Sequence, residues 1–525
     1  MSQSSFIKGT VIITIATLIS KILGSIYQIP LQNIAGNKVL GIYALVYPVY
    51  MVVLILSVAG IPLAISKLIS EAKEANRDNE IAEIFHSASA LAILFGIISF
   101  SIVMIFLNQI SIALGGEFTK PAVMIVSITL LIAPYMAVYR GFFQGFEDMK
   151  PTAASQVIEQ LVRVGLIIAI ALYLVNQGAS SEKVAGGVMV GSSIGALLSL
   201  VYLRTRFVKF KSRPQGMKLF SLNIFRQWAP KILTLSIPIA VGSLTMALLN
   251  MIDSVTIPHG LVFSGIQSDG DIQEQVGIYR RGLSTVQIAT VFSSAVILPL
   301  IPMITKTIAK NDMKETNTYI ERSLKLAHLV SWPAAMGLLV LTLPINKGLF
   351  MDFQGSDVLA IINFSSVFTS LTVLTTGILQ GINRVKLAAW IIVAGALLKG
   401  LFNILFVSQS GIIGAAYSTL LIYVILMFVN VWFIFKTTAY SIWRKETLVF
   451  IGASIIMGFV VFSPLLYFVE TDWSRLQSLV YIVVMIPIGG IIYAALVIVG
   501  KGLKKEELQS LPVIGRYFSK LQQQN

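Results

Sequence analysis

Gly141-Phe-Phe-Gln144-Gly145-Phe-Glu-Asp-Met-Lys150 and Gly377-Ile-Leu-Gln380-Gly381-Ile-Asn-Arg-Val-Lys386 follow one pattern, G-x-x-Q-G-[FI]-x-x-x-K, so that 377–386 repeats 141–150 position for position. Each closes an apolar stretch of about 20 residues, the length that crosses a bilayer as a helix. Each then enters a polar loop. A weaker echo joins Ile61-Pro62 and Ser66-Lys67 to Ile301-Pro302 and Thr305-Lys306 at nearly the same offset. Two matches at one spacing predict an internal repeat of six spans, and an even number leaves both copies facing the same way. Parallel repeats about an axis along the membrane normal are a transporter architecture, with the site between the halves near mid-bilayer.

Outward from the repeat, apolar stretches fall near 9–30, 39–66, 84–107, 121–144, 152–176, 184–205, 231–257, 282–305, 326–345, 357–380, 387–408, 412–435, 447–469 and 477–500. The sequence thus predicts an all-α polytopic membrane protein of 14 transmembrane helices, as two six-helix pseudo-symmetric lobes plus two C-terminal helices. The expected divisions are an N-lobe with a basic cytoplasmic linker (1–228), a C-lobe (229–440), and two extra helices with a tail (441–525). Composition agrees. Of 525 residues 56% are hydrophobic and 12% charged, against about 25% charged in a soluble chain, and mean hydropathy is +0.83. A soluble enzyme of this length lacks the polar skin it would need. The first apolar run, with Lys8 before it and Lys21 within it, is expected to be a retained helix and not a signal peptide.

The net charge of +15 would suggest nucleic acid in a soluble protein, but its distribution gives another cause. With the N-terminus inside, 29 of the 39 Lys and Arg residues fall in inside segments and 7 outside, leaving Lys21, Arg163 and Lys399 within spans. That bias places both termini in the cytoplasm and requires no nucleic-acid partner. Zero cysteines and three histidines (His86, His259, His328) exclude thiolate catalysis and a histidine-rich metal site. No P-loop and no H-E-x-x-H occurs, so neither enzymatic activity, a cofactor nor a bound metal is expected. Asp269, Asp271 and Glu274 are expected to be solvated charge in an outer loop, and residues 503–521 to form an amphipathic tail on the inner membrane surface.

A charge at mid-bilayer costs about 2.5–3.5 kcal/mol on insertion scales, so such residues face a cavity or a partner. Lys21 lies mid-span in the first helix, and Glu159 and Arg163 share a face of the fifth at i,i+4. Asp253 lies in the outer part of the seventh span, Lys399 in the middle of the eleventh, and Arg280 with Arg281 opens the eighth. Arg163 and Lys399 are repeat equivalents, position 163 standing to 399 as 141 does to 377. Either both cations approach the interface between lobes, or Arg163 is neutralised by Glu159 and Lys399 by Asp253 as packing pairs. For Lys21 and Arg280 no anion is near in sequence, which favours cavity exposure. Surplus cations suit an anionic, phosphate-bearing cargo and disfavour cationic drugs. Gly24 and Pro30 mark a candidate hinge in the first helix.

Fourteen spans as six plus six plus two, Ser20-Lys-Ile-Leu-Gly24, and the G-F-F-Q-G-F-E-D-M-K-P of residues 141–151 resemble the multidrug/oligosaccharidyl-lipid/polysaccharide exporter superfamily. Within it the chain is similar to the Gram-positive polysaccharide-biosynthesis/stage V sporulation protein B branch, close to the lipid II flippases; the tail Leu511-Pro512-Val-Ile-Gly515 resembles that branch too. The resemblance implies a plasma-membrane flippase carrying undecaprenyl-pyrophosphate-linked peptidoglycan precursor from inner to outer leaflet, in cell-wall biogenesis and cell shape. Partners would be that glycan precursor, membrane lipids and cell-wall or division machinery. It also implies a cationic cavity that binds pyrophosphate, with Lys21 at the first-helix cation and Arg280 at the eighth-helix arginine counted back from Ile297-Leu298-Pro299. The last two helices would form a groove for the lipid tail. Two family arginines are missing, one near Tyr27 and one among Met51 to Val53. Some members hold sodium between the seventh, eleventh and twelfth helices; here Asp253 faces Lys399 and Asn403, and the expectation is that the Lys399 ammonium replaces the ion. The alternatives are another lipid-linked glycan (capsule or teichoic acid), a cation-coupled small-molecule exporter, or a scaffold without transport. Membrane potential acting on buried charge, about 2.3 kcal/mol per charge per 100 mV, is one available energy source.

Overall fold

The computed structural model describes residues 3–58, 60–211, 221–297, 300–438, 445–468 and 473–503. Among the described residues the chain forms twenty α-helices and no strand. The first half runs through α1 (Gln3–Ile26), α2 (Gln28–Val58), α3 (Ile61–Glu74), α4 (Asp78–Ile105), α5 (Leu107–Ala113), α6 (Lys120–Ser127), α7 (Thr129–Gly145), α8 (Met149–Asn176) and α9 (Ser181–Val208). Next come α10 (Leu222–Ser243), α11 (Thr245–Phe263), α12 (Asp269–Ile297) and α13 (Leu300–Ala309). The remainder is α14 (Met313–Val340), α15 (Thr342–Phe350), α16 (Ser356–Gly381), α17 (Val385–Ser410), α18 (Ile412–Thr437), α19 (Lys445–Phe468) and α20 (Arg475–Val499). Eleven stretches of the described chain are long and apolar enough to cross a membrane, and the first, Ile15–Glu74, covers two predicted spans. Those two part at Gly36, whose φ of 80° and ψ of 178° interrupt α2. Only glycine adopts that geometry without a Cβ clash.

The repeat is visible in the backbone. The helix carrying the first motif ends at Gly145 and the next begins at Met149; the second motif ends at Gly381 and its successor begins at Val385, so the two junctions fall at equivalent places in the repeat. Glu147 (φ 60°) and Asn383 (φ 63°) are both left-handed, as are Asn76 (φ 56°) and Asn311 (φ 57°). The turns close alike: Glu147 N–H donates to Gln144 O and Asp148 N–H to Phe143 O, while Asn383 N–H donates to Gln380 O and Arg384 N–H to Leu379 O. The motif's glycines have a packing role. A Cβ on Gly141 would lie 2.8 Å from Pro62 O and one on Gly145 would lie 2.8 Å from Ile69 Cβ, so both bear on α3. The two sequence echoes are thus the two sides of one contact, where small residues let membrane helices approach. In the second half the equivalent helices, α13 and α16, also pack on each other. Asparagine tolerates the left-handed region better than glutamate. Glu147→Asn, copying the equivalent Asn383, should therefore stabilise the protein by up to about 1 kcal/mol, read as a higher Tm in detergent.

Two compact units arise. The first comprises Met1–Ser284 with Ala389–Ser418, the second Thr285–Ala388 with Thr419–Asn525. The first is centred on an aromatic cluster in which Phe85 stacks on Phe207 with 4.8 Å between centroids, edge-on to Tyr139 and Phe142. In the second, α19 and α20 pack on α14 and α15, tied by Tyr493 OH donating to Leu329 O at 2.8 Å. Their other faces expose Phe459, Leu466, Val483 and Ile491. In water such a surface would drive association; in a bilayer it is the lipid face.

Three expectations change. The eighth span begins at Asp269 and not near 282, so Arg280 and Arg281 lie about three turns inside α12 instead of opening it. Asp269 and Asp271 form the first turn of α12, where the helix dipole favours acids, and Glu274 follows one turn on, so none of the three belongs to an outer loop. Arg140, counted with the inside segments, lies within α7 and is largely buried, its side chain 14% exposed. The amphipathic tail, its Leu511–Gly515 motif and Leu298-Pro299 lie outside the described residues, apart from Leu503.

Candidate functional site

All the predicted charged positions fall in the first unit. Lys21 lies on the face of α1 that meets α8: Thr17 Oγ1 donates to Gln156 Oε1 at 3.2 Å, and a Cβ on Gly24 would stand 3.4 Å from Gln160 Nε2. Between these contacts Lys21 is exposed and has no ion pair among the described residues. Tyr27 separates α1 from α2 just beyond, and Pro30 lies in the first turn of α2.

Arg163 is 5% exposed. Its Nη2 donates to Glu159 Oε1 at 3.0 Å and its Nη1 to Tyr47 OH at 3.3 Å. The other Glu159 oxygen accepts from Arg140 Nη2 at 2.8 Å, and Arg140 Nε donates to Ser155 Oγ at 3.0 Å. The expected pair is therefore an Arg–Glu–Arg triad with net charge +1. Gly191 and Gly195 make it possible: Cβ atoms there would lie 2.9 Å from Arg163 O and 2.8 Å from Glu159 O, so α9 lies directly on the α8 backbone. Arg163 Nε and Gln160 Oε1 are buried without a hydrogen-bond partner among the described residues. A stack of tyrosines (Tyr43 on Tyr47, centroids 5.2 Å apart) covers the triad.

Asp253 of α11 meets Lys399 of α17 across 2.6 Å, with Lys399 1% exposed. The same oxygen accepts from Tyr279 OH at 3.0 Å, and the other from Asn403 Nδ2 at 2.8 Å. Both carboxylate oxygens thus face donors, one of them a cation. This donor set does not fit a sodium ion, and no cluster of metal-ligating side chains occurs among the described residues. In the second half the sequence pairing of Lys399 with Asp253 matches the Glu159–Arg163 pairing of the first, though it is made between helices and not along one.

Arg280 is 4% exposed and Arg281 fully buried. Arg280 Nε donates to Gln28 Oε1 at 2.8 Å, and Arg281 Nε to Asn37 Oδ1 at 2.7 Å. Arg280 lines a small cavity with Asp253, Ser254 and Tyr279, though little of its surface is exposed there. The sequence missed Arg140, Tyr47, Tyr279, Gln28 and Asn37. The signal for Arg140 was present, a cation inside an apolar run. The uncharged partners gave none, because a carboxamide or phenol in a span is common.

Two bilayer-length helical repeats with charges buried at mid-helix have the build of a polytopic membrane transporter. Residues 6–308, more than half of the chain, match the family described as "Polysaccharide biosynthesis protein", and the chain belongs to that family. Residues 285–486 match "Lipid II flippase MurJ". A relative in Bacillus subtilis, "Uncharacterized membrane protein YabM", is 28% identical over 96% of this chain and 94% of its own. "Lipid II flippase MurJ" of the same organism is 26% identical over 94% of each. The fold matches a solved lipid II flippase MurJ in an inward closed conformation, with TM-score 0.66 and 18% identity over 93% of this chain and 98% of that one. It also matches an inward-facing multidrug transporter of the same superfamily, with TM-score 0.62 and 14% identity over 79% of this chain and 94% of that one. The chain is thus a multi-pass membrane protein of the polysaccharide biosynthesis family, with the fold of these transporters.

Proposed function

We propose that the protein is a flippase that moves an undecaprenyl-pyrophosphate-linked peptidoglycan precursor, lipid II, from the inner to the outer leaflet by alternating access. The observation that carries this reading is the charge of the first unit: Lys21 without an anionic partner among the described residues, a triad of net charge +1, and two arginines that donate to carboxamide oxygens. Phosphate oxygens are the natural acceptors for such groups. A cationic cargo would find Glu159 and Asp253 already paired with cations and Glu274 engaged by the Asn37 amide. The family match and the likeness to lipid II flippases support the class of cargo. On this reading both termini are cytoplasmic in a Gram-positive plasma membrane, the repeats divide the chain at 228 and 440, and the neighbours are the cell-wall or division machinery.

Complementation tests it. In a host depleted of its own lipid II flippases, the wild-type chain should restore lipid II at the outer leaflet, read by a labelled lipid II-binding probe. Export of a capsule or teichoic acid unit with lipid II left inside would move the assignment to another lipid-linked glycan. Because Lys399 supplies the positive charge beside Asp253, export should be unchanged when sodium is replaced by choline. A fall of tenfold or more (about 1.4 kcal/mol) would show that an ion is needed.

A further inference from the structure

The seam between α1 and α8 holds two polar groups that have no partner among the described residues, and both lie beside Lys21. Thr17, Ser20 and Gly24 share one face of α1 at i, i+3 and i+7, and Gln156 and Gln160 share one face of α8 at i,i+4. At the inner end of the seam Thr17 Oγ1 and Gln156 Oε1 satisfy each other at 3.2 Å. The next polar residues along it do not. Ser20 is 9% exposed, and neither its Oγ nor Gln160 Oε1 has a hydrogen-bond partner among the described residues. A serine within a helix readily bonds the carbonyl four residues back, as Ser25 does to Lys21 O at 2.9 Å. Ser20 makes no such bond. Opposite the Gln160 carboxamide stands Gly24, where a Cβ would lie 3.4 Å from Gln160 Nε2. Buried polar groups left without partners are rare enough that each needs a cause.

We propose that Ser20 and Gln160 are specificity residues that read a 2-acetamido group on the sugar joined to the pyrophosphate, Gln160 Oε1 accepting from the acetamide N–H and the Ser20 hydroxyl donating to its carbonyl. The inference rests on the cargo class proposed above and names the sugar within it. The chemistry is complementary: the unpartnered groups are one acceptor and one hydroxyl, and an acetamide presents one donor and one acceptor. Its N–H and C=O lie on opposite edges of a planar trans amide, so a single acetamide bridges groups on two helices. A hydroxyl at the same carbon donates and accepts through one atom. Position agrees as well. C2 of the sugar adjoins C1, which bears the pyrophosphate, so the groups that read C2 must neighbour the cation that holds the phosphate. Ser20 adjoins Lys21 in sequence, and Gln160 faces Gly24 one turn further along α1. Lys21 is exposed and Gln160 partly so, and the Gln160 carboxamide turns toward the cargo by rotation about its own side-chain bonds. A site built to hydrogen-bond a substrate group rejects the analogue that lacks it, because its buried polar atoms are then left unpaired. The carrier therefore favours lipid-linked glycans that begin with a 2-acetamido sugar over those that begin with a plain hexose.

Undecaprenyl-pyrophosphoryl N-acetylglucosamine and undecaprenyl-pyrophosphoryl glucose differ only at C2 of the sugar. Competition between them for the full chain in lipid nanodiscs, read by native mass spectrometry, gives the ratio of their affinities. The wild type should prefer the acetamido probe at least about tenfold. Gln160→Leu should remove that preference, the two affinities converging to within about twofold. Ser20→Ala should lower the ratio too, and serves if Gln160→Leu does not fold. Lys21→Ala should weaken both probes and leave their ratio in place. A purely structural role for Ser20 and Gln160 would change Tm without changing the ratio. The proposal is overturned if the wild type binds both probes equally, or if the preference survives in both variants. Equal affinities that still fall in Lys21→Ala remove the sugar recognition and keep the pyrophosphate cargo, whereas binding of neither probe removes both.

Discussion

Lys399→Met is expected to destabilise the protein by about 3–5 kcal/mol, the usual cost of removing one partner from a buried ion pair. Methionine preserves the volume, so the loss is electrostatic. The Asp253 side chain, 7% exposed, would keep only Tyr279 and Asn403 as donors and hold an uncompensated charge in a low-dielectric interior. The double variant Asp253→Asn, Lys399→Met should recover most of the loss, because a neutral pair of similar shape does not pay desolvation for either ion. Thermal unfolding of the purified variants in one detergent checks both. A Lys399→Met protein as stable as wild type would show that water reaches the pair, and a double variant no better than the single would show that packing is the dominant effect.

Lys21→Ala and Arg280→Ala should each reduce lipid II exposure by about 10- to 100-fold, as hydrogen bonds to charged groups are worth about 1.5–3 kcal/mol. The two differ in a useful way. Lys21 is exposed and unpaired among the described residues, so Lys21→Ala should leave Tm unchanged and Lys21→Arg should retain export. Arg280 is 4% exposed and holds Gln28, so its removal should lower Tm as well. Normal outer-leaflet lipid II in cells expressing matched amounts of Lys21→Ala would remove this lysine from the cargo site.

Helix, membrane and repeat were legible because each is local or periodic. Apolar length reports a bilayer span without any knowledge of neighbours. A pattern that appears at 141 and recurs at 377 reports a repeat, down to paired left-handed residues at 147 and 383. Boundaries were less legible where polar residues enter a helix. The first turns of α12 carry Asp269, Asp271, Glu274 and then two arginines, and hydropathy alone reads them as loop. The Glu159–Arg163 contact was legible because i,i+4 places two side chains on one helical face.

Local pattern is enough to read an all-helical, twice-repeated membrane protein with a surplus of cations in its spans. What each cation does depends on how the helices pack. Arg140 joins Glu159 from another helix, Lys399 meets Asp253 from far along the chain, and Arg280 and Arg281 reach back to Gln28 and Asn37. Periodicity fixes the face on which a charge lies. The partner of that charge depends on which helix is brought against that face and how closely, and here small residues such as Gly41, Gly195 and Gly277 set that approach.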